Sequence, residues 1–286
     1  MNYSFHKQVF KPNARFEYNT LLSFFQAIKT QIDRRDLIYQ LFRKSLFANY
    51  KKSFLGSIWI LLTPLTGMLS WLFLHRAQVL QPGDVGVPYA AYILVGTLLW
   101  GFFIRITSAF MNALTNFKFL LTGTNLPHEV IFGTTILLKL VDFFISFFIT
   151  IVILILFRLE LSWGIFFFPF VLLPLLFFAI GIGLLVSVFS VISYDIKKIV
   201  TAILGLIMFV TPIIYSSKAI TNILLRKIIQ FNPLTYLVCS ARDIILFGTL
   251  YSIQGYIVCS VISCILLFIT WRTFYLTENV IIERII

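Results

Sequence analysis

Acidic and catalytic side chains are scarce in this chain. Asp and Glu number 11 and His 3 among 286 residues, and charged residues make up 12% of the total. His6 falls in an N-terminal tail, His75 at the end of a long apolar run and His128 in a polar break, so no histidine cluster forms along the chain. Cys239, Cys259 and Cys264 sit in apolar surroundings, which argues against a disulfide framework or a zinc site and leaves them as small packing residues. There is no Asp-x-Asp pair for a metal-bound nucleotide sugar, no His-Glu-x-x-His motif and no Gly-rich loop ending in Gly-Lys-Ser/Thr. No catalytic or metal-binding residue is therefore assigned, and the chain is not read as an enzyme.

What is abundant is apolar length. Hydrophobic residues make up 59% of the chain and the mean hydropathy is +0.96. A helix needs about 20 apolar residues to cross the hydrocarbon core, and stretches of that order occur at 54–74, 88–111, 130–157, 164–192, 198–217 and 253–271. The fold class expected is an all-α membrane protein with six transmembrane helices. Residues 1–53 form an N-terminal arm and residues 54–286 a single membrane domain. Met1 to Thr20 offer no apolar core of the kind a cleavable signal peptide carries.

The excess of basic residues, 23 Lys and Arg, is explained by where they fall. Ten lie in residues 1–53, and Lys118, Lys197, Lys198, Arg272 and Arg284 share that side of the membrane. The opposite side holds Arg76, Arg158, Lys218, Arg226, Lys227 and Arg242. The positive-inside rule then puts both termini in the cytoplasm. Basic charge reads as topology and contact with anionic membrane lipids, not as nucleic-acid binding.

Within the arm, Leu21, Phe25, Ile28 and Ile32 recur at helical spacing, and Leu37, Ile38, Leu41, Phe42 and Leu46 continue the theme. Such amphipathic helices lie in the headgroup plane; a small soluble helical hairpin is the alternative. Between the fifth and sixth spans, residues 219–230 and 234–247 are apolar but too short to cross, and Asn232-Pro233 interrupts them. They read as a re-entrant hairpin of two half-helices in the outer leaflet, or as an amphipathic pair lying on it. Pro169, Pro174, Gly181 and Gly183 give the fourth span either a kink or close packing.

Three ionisable residues fall inside spans. Lys139 and Asp142, three apart on one helical face, are expected to form a structural ion pair, with a proton relay as the alternative. Arg105 is expected to reach towards the cytoplasmic end of its helix. Tyr89, Tyr92, Tyr215, Tyr236, Tyr251 and Tyr256 gather near the outer surface, as an interfacial belt or as rings that stack on sugars.

The series Arg35-Asp36-Leu37, Tyr50-Lys51, Leu55-Gly56, Trp59 and Pro64 resembles the entry segment of the permease subunits of ABC-type polysaccharide exporters. The resemblance continues through Val87-Pro88-Tyr89, Gly96, Trp100, Leu126-Pro127-His128-Glu129, Asp195-Ile196, Thr211-Pro212-Ile213-Ile214-Tyr215, Asn232-Pro233-Leu234 and Arg242. It covers residues 35–248. His128 and Tyr194 depart from it, each standing where a fixed cation is common.

The resemblance implies a homodimer bound to two ATP-binding cassette subunits, which carry the ATP and Mg; this chain holds no cofactor. It implies that a polysaccharide on a lipid carrier, O-antigen or capsule, passes between the two copies in the bacterial inner membrane. Teichoic acid export and an ion-coupled carrier are the alternatives. Thr115 to Thr122 would be the coupling helix. Asn116, Phe117, Lys118, Phe119 and Leu120, with His128 and Glu129 beyond it, would meet the ATPase. Trp59, Tyr89, Tyr92, Trp100, Tyr215, Asn232, Pro233 and Tyr236 would line the route and its exit gate.

Overall fold

The computed structural model describes residues 20–51, 58–117, 127–159, 162–190 and 192–285. These form helices joined by short connections, with no strand among the described residues. Helices α1 (Thr20–Asp33) and α2 (Arg35–Lys51) make the arm, followed by α3 (Ile58–Arg76) and α4 (Tyr89–Met111). Next come α5 (His128–Leu156), α6 (Phe168–Phe189) and α7 (Asp195–Val210). A broken pair, α8 (Ile223–Phe231) and α9 (Pro233–Leu246), precedes the long α10 (Ile253–Ile285).

Four of these are long and apolar enough to cross a membrane: α4, α5, α6 and the Ile253–Thr277 part of α10. Helix α6 begins later than the apolar run suggests. Ser162 Oγ accepts from the Gly164 amide and opens a separate 3-10 turn, Trp163–Phe166, before Pro169 enters the first turn of α6. Helix α7 differs most from expectation. The run 198–217 predicts a full span, yet the helix stops at Val210, where Pro212 forces Thr211 into extended backbone (φ −93°, ψ 128°). Its 16 residues reach only about 24 Å at 1.5 Å per residue.

In lipid, helices gain little hydrophobic energy from meeting one another, so packing depends on shape. Helices α4 and α6 form the centre, each with 67% of its apolar window buried, against 22% for α5 and α10. At Gly183 an added Cβ would sit 2.6 Å from Phe110 Cβ and 2.8 Å from the Thr107 carbonyl oxygen, so α6 lies directly on α4. Phenylalanine rings fill the rest. Phe143 meets Phe102 at 4.4 Å, Phe147 stacks on Phe168 at 4.7 Å, and Phe132 meets Phe274 at 5.0 Å. The central helices are thereby joined to α5, and α5 to α10.

The arm is held by one residue off the α1 stripe and one within the α2 stripe. Phe24 packs against Phe268 and Trp271 of α10, and Ile38 lies over Gly133 of α5. Phe25, Ile28 and Ile32 stay exposed, Ile28 and Ile32 at the border of an open groove between the arm and α5. The bundle has an arm end, where α1 and α2 lie, and a hairpin end, where α8 and α9 lie.

Candidate functional site

At the hairpin end, the turn that follows α7 is clamped from two sides. Leaving the helix at Thr211 gives the turn backbone carbonyls that no helical ladder satisfies. Arg242 Nη1 donates to the Pro212 carbonyl at 2.8 Å, Tyr89 Oη to Ile214 at 2.9 Å, and Tyr92 Oη to Tyr215 at 3.0 Å. Asn232 Nδ2 donates to Thr211 Oγ1 at 2.9 Å, while its Oδ1 accepts from the Leu234 amide as the N-cap of α9. One side chain thus ends α8, starts α9 and ties both to the turn, and Pro233 takes the N1 place that needs no amide proton. On the α4 side, a Cβ on Gly96 would meet Ile213 at 3.0 Å, tighter than ordinary contact, so the missing side chain lets α4 lie close against the turn.

Arg242 is the centre of the clamp. It is 3% exposed, lies 3.9 Å from the Tyr92 ring centroid and pairs through Nε with Asp243 Oδ1 at 2.9 Å. A desolvated cation over an aromatic face is worth about 2 kcal/mol or more. Asp243 was not among the residues expected to act. Its signal in the sequence is an adjacent Arg-Asp inside the otherwise apolar segment Pro233–Leu246.

Beside the clamp lies a cavity of about 680 Å³ bordered by Tyr92, Ser216, Lys218, Arg242, Asp243 and Tyr251. A second cavity of about 360 Å³ continues past Lys218 and Tyr251 to Tyr236 and Arg226. Tyr251 donates to Ser217 Oγ at 2.8 Å. Burial pushes its phenol above the ordinary value, with the Ser217 bond acting the other way. Tyr236 and Tyr251 meet edge to face at 6.1 Å.

The structure therefore brings Tyr89, Tyr92, Tyr215, Asn232, Pro233 and Tyr236 to one region. Tyr256 instead donates to the Val171 carbonyl of α6 at 3.2 Å. Trp100 is not with them: it is buried in the core against Phe103, 5.3 Å away. Trp59 lies in α3, and its side chain falls outside the described residues.

At the arm end, α4 breaks at Asn112 and a four-residue helix, Ala113–Asn116, follows, with Phe117 at its close. Lys118, Phe119 and Leu120 lie outside the described residues. His128 and Glu129 open α5, where an acidic residue suits the positive end of the helix dipole. Lys197, in the first turn of α7, donates to Asn112 Oδ1 at 3.2 Å and to Thr115 Oγ1 at 3.4 Å. Helix α7 is thus fixed at both ends.

A cavity of about 710 Å³ lies between α2, α4 and α5 at this end, bordered by Arg105, Ser108, Asn112, Thr135 and Lys139 among others. Lys139 Nζ lies 3.2 Å from Asp142 Oδ2. Arg105 corrects an expectation. Its Nη2 lies 3.6 Å from where a Gly101 Cβ would be, so the side chain runs back up the helix, away from the arm end. Side chains on a helix lean towards its N-terminus, and Asp142 attracts the guanidinium in the same direction.

Comparison with known proteins gives the wider setting. The family model described as ABC-2 type transporter matches residues 36–246. The chain is 26% identical over 234 residues to the O-antigen export system permease protein RfbA of Myxococcus xanthus, covering 82% of this chain and 89% of that protein. It is 25% identical over 221 residues to the protein of that name from Klebsiella pneumoniae, covering 75% and 82% respectively.

Proposed function

Since the chain belongs to the ABC-2 type transporter family, we propose that it is the membrane subunit of an ATP-driven exporter moving a lipid-linked polysaccharide across the bacterial inner membrane. The two relatives named for O-antigen export favour that polymer over teichoic acid. The family implies an ATP-binding cassette partner, where ATP and Mg would act. In this reading α3, α4, α5, α6, α7 and α10 are the six spans, and the arm end faces the cytoplasm. The exposed stripe of α1 lies among headgroups, and the α8–α9 pair dips into the outer leaflet.

A hydrated polysaccharide cannot enter hydrocarbon, because each hydroxyl would lose its hydrogen bonds to water. Two copies meeting through α3 and α7 would enclose the passage between them. Both helices carry apolar faces left open in a single copy, Leu69 and Phe73 on α3 and Ile199, Ile203, Leu206 and Phe209 on α7.

The observation that carries the mechanism is the double attachment of α7. One end is bonded to Asn112 and Thr115, next to the segment expected to meet the ATPase. The other end runs into the turn held by Arg242, Tyr89, Tyr92 and Asn232. Closure of the ATPase pair would shift the arm end of α7 and load the clamp, so that the hairpin opens or seals the exit. Proteoliposomes holding this chain and an ATP-binding subunit should export lipid-linked O-antigen only with ATP. Export driven by a proton or sodium gradient in the absence of ATP would overturn this reading.

A further inference from the structure

The cavity at the arm end has a chemistry that export does not by itself require. The ionisable residues of its lining are two cations, Arg105 and Lys139, with no carboxylate among them. Asp142, which is not part of the lining, is paired with Lys139. A third cation, Lys197, is anchored nearby on Asn112, a residue of the lining. Among the described residues the Arg105 guanidinium has an electrostatic partner in Asp142 but no hydrogen-bond acceptor. Two cations and one acid leave positive charge over between apolar helices, where uncompensated charge is costly. An entering anion would gain charge-assisted hydrogen bonds from Arg105 and Lys139, with the Ser108 hydroxyl within the same lining; the Thr135 hydroxyl is already donated to the Ile131 carbonyl.

Size and position narrow the anion. About 710 Å³ holds far more than a halide, and α2 supplies Ser45 and Ala48 to the border. An arm helix lying among headgroups therefore forms one wall. We propose that this cavity binds the phosphate of an anionic lipid, one whose headgroup carries no cation of its own, with Arg105 and Lys139 as its anchors. The phosphate belongs either to a bilayer phospholipid or to the polyprenyl carrier of the cargo. The site rests on the reading above that the arm helices lie at the membrane surface, and not on which polymer is exported.

The test is binding of labelled lipid to the full chain in phosphatidylcholine nanodiscs, without ATP or transport. Phosphatidylglycerol, polyprenyl phosphate and inorganic phosphate are offered separately. Binding of either anionic lipid should exceed that of phosphatidylcholine and weaken roughly tenfold in Arg105→Gln, the scale of one lost charge-assisted hydrogen bond. Preference for polyprenyl phosphate assigns the site to the carrier, and equal binding of the two lipids assigns it to the bilayer. Saturable competition by inorganic phosphate shows that the phosphate group itself is recognised. Should Arg105→Gln fail to insert, Ala109→Phe, at another residue of the lining, fills the cavity without removing a charge and should weaken binding likewise. Equal retention of neutral and anionic lipids, or undiminished binding in the inserted variant, would overturn the proposal while leaving the export reading untouched.

Discussion

Lys197 Nζ lies 3.2 Å from Asn112 Oδ1, which joins the first turn of α7 to the break that ends α4. A lysine here could have reached water at the membrane surface; instead it is 8% exposed. Its contact links the segment leading to the expected coupling region with a helix whose far end is held by Arg242 and two tyrosines. Motion at one end of α7 has a physical route to the other.

The clamp should be sensitive to charge imbalance. Arg242→Gln leaves Asp243 buried without its cation, at a cost of about 3–5 kcal/mol. Arg242→Gln combined with Asp243→Asn should recover part of that loss. Thermal melting of the purified protein in detergent checks both, and a double variant no more stable than the single one would count against the pairing.

Tyr92 separates two contributions. Tyr92→Phe keeps the ring under Arg242 and loses the bond to the Tyr215 carbonyl, a loss of about 1 kcal/mol. Tyr92→Leu loses the ring as well and should cost about 2 kcal/mol more. Equal melting temperatures for the two would mean that the ring adds nothing.

Much of the fold can be read from the sequence because apolar length and helix breakers are local signals. Asn232-Pro233 marks the division between α8 and α9 through capping chemistry carried by the two residues themselves. The end of α7 at Val210 follows from Pro212, although apolar Ile213 and Ile214 extend the hydrophobic run and hide it. The clamp is not local: Tyr92 on α4 and Arg242 on α9 meet only after the bundle has formed. Arg105 shows a different limit. Its distance from the helix end suggests reach towards the arm end, but side-chain lean and Asp142 on another helix set the opposite direction. Trp100 resembles a route residue by type, and packing places it in the core.

Close packing of α6 on α4 makes Gly183 intolerant. Gly183→Ala places a methyl against Phe110 and the Thr107 carbonyl, and backbone cannot give way as a flexible side chain does. A loss of about 1–3 kcal/mol is expected, seen as a lower melting temperature and reduced yield of folded protein.

Gly205 offers a test of the paired arrangement. Nothing lies within 4 Å of a Cβ built there in a single copy. Gly205→Trp should therefore leave the melting temperature of the single chain unchanged yet disrupt pairing of two copies through α7. Mass photometry in nanodiscs would show a shift from dimer to monomer; an intact dimer would place the contact elsewhere.

The most direct measurement is ATP hydrolysis and polysaccharide export followed together in proteoliposomes containing the Lys197→Met chain and its ATP-binding partner. If α7 relays motion from the arm end to the clamped turn, hydrolysis persists while export falls about tenfold or more, the scale of a coupling free energy of 1–3 kcal/mol. Export that keeps pace with hydrolysis at the parent level would contradict a relay through α7.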